Sequence, residues 1–121
     1  VNKGIWKEKT TLMFDTGDTT SSCFDDGGSV AVDVDSLDDQ HRNERVDFIK
    51  MDIEGSELMA LQGGKTVIEN NQPALAVCVY HKREDLITIP QYIHKLNPNY
   101  KLYLRAYKRW SQELVLYAVE R

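Results

Sequence analysis

V-D-F-I-K-M-D-I-E-G-S-E, residues Val46 to Glu57, carries an apolar run into two acids, a glycine and the start of a helix. Phe48, Ile49, Met51 and Ile53 make that run nearly continuous, which predicts a strand buried on both faces rather than one with a wet side. Asp52, Glu54 and Glu57 fall where the strand gives way to the helix. In open α/β sheets the loops at the carboxyl ends of the strands converge on a crevice while the strands hold them rigid, so ligands bind there. That position makes Asp52 and Glu54 candidates for chemistry.

Beyond Gly55, the residues Leu58, Leu61, Lys65 and Ile68 recur at helical spacing, with Lys65 the one polar member. Gly63-Gly64 predicts a stop and a second helix at a new angle. Ser56 or Glu54 can cap the first helix, which would make part of the acid cluster structural. Pro73 closes the helical region, and A-L-A-V-C-V-Y, Ala74 to Tyr80, is a second continuous apolar run suited to a central parallel strand. Strand, helix and strand in this order imply a right-handed crossover. His81 then stands at the second strand's carboxyl end, facing the same crevice as Asp52. From Glu84 to Leu96 the spacing of Leu86, Ile89, Ile93 and Leu96 predicts a helix packed on the sheet, with Pro90 dividing it into a short piece and a longer one. Asn97-Pro98-Asn99 stops it. Lys101 to Tyr107 and Glu113 to Val119 alternate with period two on either side of Lys108 to Gln112, the pattern of an antiparallel hairpin at the sheet's edge.

Upstream, Ile5, Trp6, Leu12 and Phe14 fit two strands around a turn at Lys7 to Lys9. Asp15 to Ser29, rich in Asp, Gly, Thr and Ser, reads as a long loop that ends in the turn Asp26-Gly27-Gly28. Val30, Val32 and Val34 alternate with Ala31, Asp33 and Asp35, a half-buried strand that should partner the Leu12 strand. Asp33 to Glu44 has acids at the first, third and twelfth places of a calcium loop, yet Leu37 fills a ligand place and Asp38 replaces the glycine of the sharp turn. It is better read as an acidic connection anchored by Leu37, followed by a charged linker from Asp38 to Arg45.

At 121 residues and 41% hydrophobic content the chain suits one domain with one modest core. A net charge of -4 gives no basic footprint for nucleic acid or an anionic membrane. No stretch approaches the length of an apolar membrane span, and Val1 to Thr11 is too polar for a signal-peptide core. Cys23 lies in a polar segment and Cys78 in an apolar strand, which favours a buried free thiol at Cys78 and a reducing, cytoplasmic setting. No internal repeat is visible.

Several stretches, taken in order, resemble the carboxyl-terminal half of the FkbM-type family of S-adenosylmethionine-dependent methyltransferases. They are G-I-W-K-E-K-T-T-L-M-F, V-D-S-L-D-D, V-D-F-I-K-M-D-I-E-G-S-E-L-M-A-L-Q-G-G, P-A-L-A-V-C-V-Y-H, E-D-L-I-T-I-P, Y-K-L-Y-L-R-A-Y and E-L-V-L-Y-A-V, and they cover nearly the whole chain. The resemblance implies an α/β fold, with residues 1–121 forming a single domain: a partial Rossmann-like, mixed sheet flanked by helices. Val46 to Met51 would be the fourth strand, Ala74 to Tyr80 the fifth, and the final hairpin the sixth and seventh, with Glu113 to Val119 antiparallel beside the fifth. The family's glycine-rich turn, and the acid that holds the cofactor ribose, would precede Val1, and no G-x-G-x-x-G occurs in the chain. The expectation is therefore a truncated methyltransferase domain that lacks its N-terminal cofactor-binding strands and is inactive alone. S-adenosylmethionine would be the cofactor of the parent protein. The fourth strand would then have a bare edge, which predicts self-association through it.

The activity implied is methylation of a small-molecule or glycan hydroxyl. Alignment of acceptor oxygen, methyl and sulfur supplies much of the rate, and a base takes the hydroxyl proton. Asp52, Glu54 and His81 are the candidates, histidine because imidazole exchanges protons near working pH. Each has a plain structural alternative: Glu54 as a helix-start acid, Asp52 as a loop-fixing acceptor, His81 as a satisfied strand-end residue. Asp52 and Glu54 could instead hold Mg²⁺, but no third ligand stands nearby in sequence, although Asp38 could approach in space; no metal is expected. Tyr103, Arg105, Tyr107 and Trp110 could line an acceptor pocket, and of these Arg105 and Tyr107 are kept as substrate-binding candidates. His41 and His94 read as surface residues. The competing reading is a non-catalytic binding or assembly module that keeps the strands and lacks the cofactor site.

Overall fold

The computed structural model describes residues 2–15, 27–108 and 113–120 and is α/β, with two mixed sheets rather than one. β1 (Gly4–Ile5), β2 (Thr10–Phe14) and β3 (Val30–Asp35) form the smaller sheet in the order β1-β3-β2. β2 lies antiparallel on β3, Leu12 opposite Val32, as the alternating valines predict, while β1 joins β3 in parallel. The larger sheet orders β4 (Phe48–Met51), β5 (Ala74–Cys78), β7 (Leu114–Glu120) and β6 (Tyr100–Ala106) as β4-β5-β7-β6. β4 and β5 are parallel and β7 is antiparallel to both of its neighbours, so β4, β5 and β6 all end at the same side of the sheet.

Helices cover one face of this larger sheet. α2 (Glu57–Gly63) and α3 (Lys65–Asn71) connect β4 to β5, and α4 (Asp85–Leu96) connects β5 towards β6. Leu75, Val77 and Val79 point to that face with Met51, Leu116 and Ala118, and meet Ala60, Leu61, Ile68, Ile89 and Ile93 in one core. Burial of each large aliphatic side chain there contributes about 1.5–3 kcal/mol. The alternate residues Ala76, Cys78 and Val115 face the other way, under Tyr80 and Tyr117. Cys78 is a buried free thiol. The break at Gly63-Gly64 has a packing reason as well as a capping one: a Cβ on Gly63 would stand 2.2 Å from the Trp6 carbonyl oxygen, so only glycine lets the segment after β1 cross here.

Several expectations are corrected. β4 is not buried on both faces: it pairs only with β5 among the described residues, so it is an edge strand, and Phe48 is 59% exposed. The charged linker begins as a helix, α1 (Leu37–His41), because Ser36 caps it by accepting the Asp39 N–H at 3.1 Å. Asp38, the possible third metal ligand, instead caps α3, accepting the N–H groups of Thr66 at 3.0 Å and Val67 at 2.8 Å. Leu37 does reach the core. Pro90 does not divide α4: the bond it cannot make belongs to Leu86, on an exposed first turn that water can serve. Leu86 itself faces outward, and the buried residue at that end is Asp85. Cys23, Trp110 and residues 16–26 of the 15–29 loop lie outside the described residues. No helix among the described residues is long and apolar enough to cross a membrane.

Candidate functional site

Parallel pairing of Met51 with Val77 puts the ends of β4 and β5 side by side. The chain leaves β4 through a tight turn closed by the Ser56 N–H on the Ile53 carbonyl at 3.2 Å. Its two central residues, Glu54 and Gly55, have φ of 56° and 92°, the left-handed pattern of a type I′ turn. Gly55 suits that conformation. Glu54 holds it against the preference of an ordinary side chain, the kind of local cost that recurs where a side chain must be aimed.

The aim is towards His81. Its side chain is only 10% exposed, with Nε2 3.4 Å from Glu54 Oε2 and 3.5 Å from Asp52 Oδ1. Nδ1 lies 2.9 Å from Oε1 of Glu57, a fully buried acid at the first position of α2. The same Oε1 accepts the Ile53 N–H at 3.0 Å, which locks Glu57 to the turn. Asp52 Oδ1 accepts the Tyr80 hydroxyl at 3.2 Å, and the Tyr80 and His81 rings pack with centroids 4.1 Å apart. The structure thus brings Asp52, Glu54 and His81 together. Neither Glu54 nor Ser56 caps α2 through its side chain among the described residues.

The surroundings are acidic and partly dry. Burial and the Asp52 carboxylate push the Tyr80 hydroxyl up to about 12, so it remains a donor to Asp52. Burial, reinforced by Asp52, likewise pushes the Cys78 thiol up to about 12, which removes it as a nucleophile. Asp85 is raised by burial and then by the charge of Glu57. Such a cluster can take a proton from a hydroxyl in the crevice, and its ligand atoms from Asp52, Glu54 and His81, all within 4.8 Å of one another, could surround a cation.

Arg105 and Tyr107 lie elsewhere on the same sheet. Arg105 sits over the Tyr107 ring at 5.3 Å and the Tyr107 hydroxyl meets that of Tyr117. Register places Arg105 in line with Val115 and Cys78, two strands from β5 and so roughly 10 Å away. Neither forms a hydrogen bond or ion pair with the cluster among the described residues. Sequence reasoning missed Glu57 and Tyr80 as members of the site: a first-turn acid and a strand-end tyrosine are ordinary in those places, and only their convergence on His81 and Asp52 sets them apart.

A family model described as Methyltransferase FkbM domain matches residues 5–107. The chain belongs to the FkbM methyltransferase family. A solved structure, methyltransferase FkbM from Methylobacillus flagellatus KT, is 31% identical and aligns over 96% of this chain with a TM-score of 0.75. The chain spans 27% of the length of that protein. No curated protein matches. For this FkbM-family chain, the match takes in β4, β5 and the whole Asp52–Glu54–His81 cluster.

Proposed function

We propose that this chain forms the acceptor side of an S-adenosylmethionine-dependent methyltransferase that methylates a hydroxyl oxygen on a small molecule or glycan. The observation that carries this reading is the meeting of Asp52, Glu54 and His81 at the adjacent carboxyl ends of β4 and β5 in an FkbM-family domain. Bound S-adenosylmethionine would supply an electrophilic methyl group on sulfur. Only part of its site fits the residues present: the 121 residues contain no glycine-rich G-x-G-x-x-G turn to cradle it. The chain is therefore read as inactive by itself, on a partial Rossmann-like sheet.

The cluster then acts on the acceptor. Asp52, the most open of the three, orients the hydroxyl, and the proton released as its oxygen takes the methyl passes to the cluster, where Glu54 and His81 Nε2 stand. Glu57 holds the imidazole from behind. Arg105 and Tyr107, exposed on the sheet face away from the helices, would contact the far part of an extended acceptor such as a glycan. The edge of β4, with Phe48 and an open cleft of about 280 Å³ beside it, supports self-association with a second copy. Light scattering should then give a mass above one chain, and a monodisperse monomer would remove that part of the proposal.

The absence of the glycine-rich turn favours one other reading, a binding or assembly module without catalysis. The test is methyl transfer by a protein carrying this segment, using S-adenosylmethionine with methyl-labelled carbon and a panel of sugars and phenols. Labelled ether product, together with heat of S-adenosylmethionine binding, supports the enzyme. Absence of both leaves the module.

A further inference from the structure

The site at the ends of β4 and β5 holds more negative charge than its own residues balance. Three carboxyl groups, those of Asp52, Glu54 and Glu57, stand around one imidazole, and a fourth, Asp85, feels the charges of Glu57 and of the nearby cation Lys82. The buried atoms among them are poorly satisfied: Glu57 Oε2, Asp85 Oδ2 and both ring nitrogens of His81 make no hydrogen bond among the described residues, although each is closed to solvent. The 2.9 Å approach of His81 Nδ1 to Glu57 is an ion-pair contact whose direction falls short of a hydrogen bond. Buried polar atoms are nearly always bonded, and His81 Nε2, which faces the Glu54 and Asp52 carboxylates at 3.4 and 3.5 Å without a hydrogen bond, points to a missing group between them.

We propose that Asp52, Glu54 and His81 form a seat for a divalent cation of the first transition row, with Glu57 as the positioning residue behind the imidazole. One atom from each ligand stands within 4.8 Å of the others, and His81 Nε2 is 3.4 Å and 3.5 Å from the two carboxylate oxygens. Around a cation with bonds of about 2.1 Å, ligand atoms are spaced by roughly 3.0–3.4 Å, so the cluster closes on an ion with small side-chain movements. Behind them stands the arrangement that fixes such ligands elsewhere: a carboxylate on the far nitrogen of the histidine, here Glu57, and a hydroxyl donor on a ligating carboxylate, here Tyr80 on Asp52. A ligand set of one imidazole and two carboxylates suits Mn²⁺, Fe²⁺ or Zn²⁺. It does not suit Ca²⁺, which takes six to eight oxygens. Asp52 is exposed, which leaves an entry path and room for water or an acceptor hydroxyl on the ion, and a bound ion would replace Glu54 and His81 Nε2 as the group that activates that hydroxyl. The sequence expectation of no metal rested on the lack of a third ligand nearby in sequence, and the third residue of the proposed seat, His81, comes from beyond a helical crossover.

The seat does not depend on the methyltransferase reading, and the test uses metal alone. Mn²⁺ is titrated into the native chain and followed by electron paramagnetic resonance, with pulsed measurement of ¹⁴N coupling. The expected result is one tight site per chain showing imidazole nitrogen coupling. His81→Ala should abolish that coupling, and Asp52→Asn and Glu54→Gln should each weaken binding at least tenfold. Glu57→Gln should weaken binding about 10–100-fold while the ¹⁴N coupling persists, as expected of a residue acting through the histidine. His41→Ala, which removes a separate exposed pair with Glu44, should leave binding unchanged. Because Asp52 is exposed, its variant keeps the test informative even if the buried Glu57 variant fails to fold. Lack of binding at about 1 mM Mn²⁺, lack of nitrogen coupling, or affinities of the Asp52 and Glu54 variants within about twofold of native would overturn the seat.

Discussion

Two strands of this chain end in buried carboxylates, and the two ends are built in opposite ways. At the end of β3, Asp35 is almost wholly buried and fully occupied: one oxygen takes Lys3 Nζ at 3.3 Å and Gln40 Nε2 at 2.6 Å, the other the Ser36 N–H at 2.9 Å. Its pKa is lowered, first by the Gln40 hydrogen bond. Just beyond the turn after β4, Glu57 is equally buried, but among the described residues one oxygen has no hydrogen bond and the histidine beside it has none on either nitrogen. A satisfied acid spends its interactions on holding the chain together. An unsatisfied one keeps them for something that arrives.

The sharpest way to break that contrast is to exchange the readouts. His81→Gln should lower methyl transfer by roughly 10²–10⁴-fold in a protein carrying this segment while moving its melting temperature little. Asp35→Asn should do the reverse: activity kept, melting temperature down by on the order of 5 °C. Steady-state rates and thermal melts of the two variants check both. An inactive Asp35→Asn that melts normally would make the two ends alike.

The same contrast has a pH dependence. Asp35 has a folded pKa below its unfolded value of 3.8, so its stabilisation is present above that value and is lost as pH falls through the lowered one. Acid titration followed by circular dichroism should show the native chain unfolding more steeply below about pH 4 than Asp35→Asn, which has no such proton to take up.

The sequence made one of these ends legible and hid the other. The acids after the Val46 run, and His81 after the Ala74 run, stood out because continuous apolar runs announce strands whose carboxyl ends carry the loops. The pairing of β2 with β3 and the reversed β7 beside β5 followed from alternation and from the family resemblance. What stayed hidden depends on neighbours remote in sequence. β4 has the composition of a strand buried on both faces, and although its bare edge was expected from the family resemblance, the exposure of Phe48 was not. Glu57 looks like an ordinary first-turn acid until His81, from another strand, lies against it. Asp38 looks like a possible ligand until α3 presents two N–H groups to it.

Asp85 gives the smallest and most discriminating effect, because it belongs to the unsatisfied end without being a ligand in the proposed seat. Its side chain is buried at the start of α4, Oδ2 makes no hydrogen bond among the described residues, and burial with the charge of Glu57 raises its pKa. A carboxyl whose folded pKa lies above 3.8 contributes its stability below that value and loses it as pH rises through the raised one, the opposite sign to Asp35. Asp85→Asn, which keeps the shape and cannot ionise, should therefore raise the melting temperature by about 2–4 °C at pH 8 and by less at pH 4. Thermal melts at the two pH values decide it. A gain at both of equal size would trace the effect to helix propensity rather than charge, and a loss at pH 8 would mean that Asp85 already has a partner at that strand end, as Asp35 has at the other.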